Sequence, residues 1–82
     1  DPKTRLQEFQ QGNKSRLPAY DVLNVEGPTN EQIFTVECRV PEYPQPVVAR
    51  GNSRRAAEQQ AAQQMLVLLG IDQSPSDGKE TV

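Results

Sequence analysis

The chain has 82 residues, 34% of them hydrophobic and 24% charged, which suits one small domain with a modest core. No run of about eighteen apolar residues occurs, so no membrane-spanning helix is predicted. The chain has no histidine and one cysteine, Cys38, which excludes His-based triads, clustered thiolate metal sites and an internal disulfide.

The net charge is −2. Its distribution matters more than its sum. Taking Lys79 from the nine bases, and Asp72, Asp77 and Glu80 from the eleven acids, leaves eight of each in residues 1–71. A domain that is neutral overall can still present a basic face. Cys38 lies between Val36 and Val40 and reads as a small buried apolar residue, and an unpaired cysteine fits a reducing, cytoplasmic compartment. No signal-peptide pattern opens the chain, and DPKTRLQEF already reads as a helix start, so an excised domain is expected.

Asp1 is an expected N-cap, followed by Pro2 at the first helical position, where its missing N–H does no harm. That helix is predicted to run to Gln11, with Gly12 as its stop. Leu6 and Phe9 are expected to face the core. Thr4, Gln7, Glu8 and Gln11 recur at i, i+3, i+4, i+7 and form one polar stripe.

A connector, Gly12 to Pro18, leads to a strand over Tyr20 to Glu26. The composition of Gly27 to Gln32 is that of a turn. In Ile33 to Val40, Phe34, Val36, Cys38 and Val40 alternate with polar neighbours and share one strand face. PEYPQP reads as a second turn, and Val47 to Arg50 as a short third strand. Three strands on short loops predict an antiparallel meander.

A second helix is expected from Ser53 to Leu69, capped by Asn52 or Ser53 and stopped by Gly70. Ala57, Ala61, Met65, Leu68 and Leu69 form its expected core stripe. Residues 72–82 lack apolar periodicity and read as a disordered C-terminal tail, leaving 1–71 as the domain. The elements predict an α+β fold: an α-β-β-β-α two-layer sandwich with both helices on one face of a three-stranded antiparallel sheet.

Arg54 and Arg55 stand in the first turn of the second helix. The helix dipole makes that end partly positive and mildly unfavourable for cations. An approaching anion would reverse the balance, since free N–H groups and two guanidiniums would then act together.

The element order, Gly27-Pro28 in the first turn, Phe34 in the second strand, and Ser53, Arg54, Arg55, Ala57, Glu58, Ala61 and Ala62 together resemble a double-stranded RNA-binding domain over residues 3–70. DPKTRLQEF and EQQAA look most like the C-terminal domain of bacterial ribonuclease III.

The resemblance implies three RNA-contacting regions. The first is the stripe Thr4, Gln7, Glu8 and Gln11, whose amide, hydroxyl and carboxylate groups can exchange hydrogen bonds with 2′-hydroxyls. The second is the GPTN turn, with Thr29 and Asn30 entering a minor groove. Asn30 stands where many members have histidine, so it can hydrogen-bond but not carry charge. The third is Asn52, Ser53, Arg54 and Arg55, which would meet phosphates. Glu58 stands where many members have a lysine and is expected to remove one phosphate contact.

The function this implies is binding of A-form duplex RNA by shape, for a separate N-terminal nuclease domain to cleave in ribosomal and messenger RNA processing. The parent would be a homodimeric endoribonuclease using Mg2+; the isolated domain is expected to be a monomer, with no catalytic residue, metal site or cofactor of its own. Two other readings compete: a degenerate module mediating protein–protein contact, and the RNA-binding module of a different protein. With four aromatics in total, the chain lacks the stacking pairs of single-strand binders.

Overall fold

The computed structural model describes residues 1–72. In chain order the elements are α1 (Pro2–Gly12), β1 (Ala19–Glu26), β2 (Ile33–Val40), β3 (Tyr43–Gly51) and α2 (Arg54–Leu68). The strands form one antiparallel sheet in the order β1-β2-β3. α2 lies across β2 and β3, and α1 lies beside α2 and reaches the core through Leu6. This is the two-layer α-β-β-β-α architecture that the sequence predicts. Residues 73–82, nearly all of the expected tail, lie outside the described residues. Asp72 belongs with the domain: its carboxylate accepts from Arg5, and its backbone N–H donates to Leu66.

The register follows from alternation in β2. Val36 lies opposite Val22 and Ala49, and Cys38 lies opposite Tyr20 and Val47. Paired residues share a face, so this set points at α2, with Val36, Cys38, Val40, Val47 and Ala49 all buried. A bulge between Val22 and Asn24 leaves Leu23 unpaired. The extra residue turns Asn24 outward, where unbroken alternation would have put it beside Val22.

The third strand is longer than its composition suggests. Tyr43 to Pro46, read above as turn, belong to β3, and the register shifts between Cys38 and Val40 to admit them. β3 is an edge strand, where Pro44 and Pro46 need no N–H partner on the open side.

Both helices end in the same way. After α2, Gly70 N–H donates to Val67 and Ile71 N–H to Leu66, with Gly70 at φ 80°. After α1, Lys14 N–H donates to Gln11 and Ser15 N–H to Gln10, with Lys14 itself at φ 56°. These paired bonds close each helix through a left-handed residue. Gly12 is therefore the last residue of α1 rather than its stop.

The inner face of α2 also differs from expectation. Ala57, Glu58, Ala61, Ala62, Met65 and Leu66 are buried, while Leu68 is 49% exposed. Two adjacent i, i+4 rows make this face, so Leu66 takes the inward position and Leu68 falls on the flank. On α1, Leu6 is buried, Phe9 is half-buried, and Gln10 is fully enclosed. Gln10 Nε2 donates to Arg16 O at 2.8 Å and Glu42 Oε1 at 2.9 Å, tying α1 to its connector and to the β2–β3 turn.

Candidate nucleic-acid interface

The first turn of α2 is built by Ser53. Its Oγ accepts from Ala56 N at 3.0 Å, which settles the cap at Ser53. No acid occupies that turn, so the N–H groups of Arg54 and Arg55 and the positive end of the dipole stay open to an anion. Gly51 seats this turn on the sheet. A Cβ on Gly51 would lie 2.6 Å from Ala57 N and 2.9 Å from Ala56 C, so only glycine permits the approach.

α1 presents its polar stripe alongside. Thr4, Gln7, Glu8 and Gln11 are all exposed. Asp1 caps the helix by accepting from Thr4 N at 2.9 Å, and Gln59 of α2 reaches across to accept from Lys3 N at 3.0 Å. The two helix N-termini are thereby joined. Thr4, Gln7, Arg54 and Arg55 line one open cleft between them, together with Asp1, Lys3, Glu58 and Gln59.

The β1–β2 turn forms a second concavity. Glu31 N–H donates to Pro28 O at 2.9 Å, which puts Thr29 and Asn30 at the two central positions, projecting from the sheet. Gly27 holds φ 95°, and a Cβ there would meet Glu31 O at 2.5 Å. Thr29, Asn30 and Asn52 line this concavity with Glu31 and Gln32. Asn52 thus lines the concavity of the turn rather than the cleft that Arg54 and Arg55 line. Glu8 and Gln11 lie outside both clefts, further along α1.

The two arginines have different surroundings. Arg54 Nε donates to Glu58 Oε2 at 2.9 Å. Arg55 is exposed and makes no ion pair among the described residues. Glu58, expected to remove one phosphate contact, is buried and also accepts from Lys3 Nζ at 2.5 Å. Burial alone would raise its pKa, but hydrogen bonds from Lys3 and Arg54 and their charges outweigh it and hold the carboxyl below its ordinary value. Lys3 Nζ also stands 5.2 Å from the centre of the Tyr20 ring. Sequence periodicity leaves Lys3 off the polar stripe, and nothing local marks Glu58 as its partner.

Elsewhere, burial pushes the Cys38 thiol up to about 11, which keeps it protonated and inert. Among the described residues no group of acids, Cys or His is arranged to hold a metal ion, and no helix is long and apolar enough to cross a membrane.

A small α-β-β-β-α sandwich with a cationic helix N-terminus, a polar first helix and a projecting turn defines a duplex RNA-binding module. The family described as "Double-stranded RNA binding motif" matches residues 2–69, and the chain belongs to it. The chain is similar to ribonuclease 3 of Colwellia psychrerythraea, 54% identical over 84% of this chain and 26% of that protein. It is 51% identical to ribonuclease 3 of Mannheimia succiniciproducens, over 87% of this chain and 32% of that protein. The chain therefore spans no more than about a third of these curated relatives. Among solved structures, Arabidopsis HYL1 matches with a TM-score of 0.73 at 32% identity, over 84% of this chain and 96% of that one. The first double-stranded RNA-binding domain of HYL1 matches at 0.65 and 33%, over 83% and 94%.

Proposed function

We propose that the chain binds A-form duplex RNA by shape and is the RNA-binding module of a ribonuclease III. The observation that carries this is the division of the interface. Thr4, Gln7, Arg54 and Arg55 share one cleft, while Thr29, Asn30 and Asn52 share another. Duplex RNA has a shallow minor groove lined with 2′-hydroxyls, and domains of this kind span about 16 base pairs, touching two minor grooves and the phosphates between. The polar face of α1, extended by Glu8 and Gln11, suits one minor groove. The Thr29–Asn30 tip suits the next. The first turn of α2, with Ser53, suits the intervening phosphates.

The likeness to bacterial ribonuclease 3 supports a longer parent with a separate N-terminal nuclease domain. That parent is a cytoplasmic homodimer acting on ribosomal RNA precursors and structured messages. Mg2+ belongs to its nuclease domain, so this chain binds without cutting, as a monomer.

The test is binding to a duplex RNA of about 20 base pairs and to the same sequence as DNA, at several salt concentrations. RNA-selective, salt-sensitive binding is expected. Replacing Arg54 and Arg55 together with alanine should weaken binding to all sequences and flatten the salt slope by roughly 1–2 units. Equal affinity for RNA and DNA would sink the groove-reading account. An unchanged slope would move the phosphate site elsewhere.

A further inference from the structure

Glu58 is an acid lying beneath a surface that is to meet a polyanion. Its side chain is 10% exposed, whereas those of Lys3 and Arg54 are 35% and 59% exposed. The carboxylate is therefore the floor and the two cations are the rim. Glu58 Oε1 accepts from Lys3 Nζ and Oε2 accepts from Arg54 Nε, so each oxygen holds one cation. An ammonium has three N–H donors and a guanidinium five. Each cation gives one donor to Glu58 and keeps the others for the cleft that both line.

Building on the duplex-binding reading, we propose that Lys3 and Arg54 form a preset phosphate clamp across the seam of the two helices, with Glu58 as its positioning residue. Lys3 thereby adds a phosphate-binding cation to those carried by α2.

The physical advantage is preorganisation. Long basic side chains lose rotamer freedom on binding, and a site that has already fixed them loses less. The trio also keeps a net positive charge, since one carboxylate faces two cations. The Tyr20 ring and the Gln59 bond to the Lys3 backbone restrain Lys3 from two further directions. Because Lys3 comes from α1 and Arg54 from α2, the clamp sets the spacing between the groove-facing stripe and the phosphate-facing turn.

The test uses the whole chain and a duplex RNA of about 20 base pairs, titrated at several salt concentrations, with a thermal melt of every variant. Lys3→Ala should flatten the salt slope by about one unit, the signature of one phosphate contact. Lys3→Arg should keep the slope. Glu58→Asp preserves charge but withdraws the anchor by one methylene, and should weaken binding about 2- to 10-fold, as expected for losing one or two preset side chains. That loss should shrink in the Lys3→Ala background, where one of the two positioned cations is gone.

A Lys3→Ala slope equal to that of the unaltered chain overturns the clamp, whether or not Glu58→Asp folds. So does unaltered affinity in a folded Glu58→Asp sample. Arg55→Ala separates this failure from that of the underlying reading. If the unaltered chain binds and Arg55→Ala weakens it, duplex binding stands and only the clamp falls. If the unaltered chain does not bind duplex RNA, both fall.

Discussion

Gly51 and the backbone of Ala57 meet without room for a side chain: a Cβ at residue 51 would stand 2.6 Å from the Ala57 nitrogen. The contact joins the end of the sheet to the first turn of α2, and so it sets where Arg54 and Arg55 stand. Gly51→Ala should cost about 1–3 kcal/mol, the usual penalty of overpacking a tight contact. It should also weaken RNA binding more than that instability explains, because the arginine-bearing turn must shift. Urea unfolding and RNA titration of the same sample check both, and wild-type stability would mean the seam can open freely.

Gln10 is a test of the buried polar tie. Its Nε2 donates to Arg16 O and Glu42 Oε1, while its Oε1 is buried without a partner in the structure. Gln10→Glu would set an anionic acceptor against these acceptors and should cost about 2–4 kcal/mol at neutral pH. The new carboxyl would be raised in the folded state. The penalty is therefore full above that raised value and should ease as acid protonates it. Denaturant melts from pH 7 to pH 4 would reveal this, and a penalty independent of pH would contradict it.

Glu58 predicts the acid limb of the stability profile. Its carboxyl is held below its ordinary value of 4.5, because Lys3 and Arg54 outweigh burial. A depressed carboxyl stabilises the fold fully above its unfolded value and loses that contribution as pH falls through the lower folded one. Unaltered protein should therefore lose stability below the ordinary carboxylate range more steeply than Glu58→Gln does. Parallel curves for the two proteins between pH 6 and pH 3 would remove Glu58 from the account. With no histidine in the chain, neither stability nor RNA affinity should show a step near pH 6.5.

Lys14 closes α1 in the left-handed region at φ 56°, the place Gly70 takes after α2. A side chain there costs roughly 1–2 kcal/mol, partly offset by the greater freedom glycine has when unfolded. Lys14→Gly should thus stabilise the domain by about 0.5–1 kcal/mol, the difference between those terms. A calorimetric melt decides it, and a lower melting temperature would mean that the Lys14 side chain makes a contribution of its own.

Several features could be read directly from the chain because they are local. The bounds of β2, the stop at Gly70 and the projecting 27–32 turn rest on alternation, helix-stop chemistry and turn composition, while capping chemistry left Asn52 and Ser53 both open until the structure chose Ser53. The exposed stripe on α1 followed from helical spacing alone. β3 was partly hidden, since Pro44 and Pro46 belong to a strand only when its edge is open. The Leu23 bulge was hidden as well, because an extra residue shows itself only against a partner strand.

Alternation, periodicity and caps therefore determined the element order and the core of the sheet, while the three candidate contact regions came from the family resemblance. The tertiary structure decided how those regions combine. It enclosed Gln10, turned Leu66 inward in place of Leu68, and set Asn52 beside the β1–β2 turn. It also brought Lys3 onto Glu58 across 55 residues of sequence. The physical reason is range. Capping and periodicity act within a few residues, whereas the ionic tie between α1 and α2 exists only once both helices share one face of the sheet.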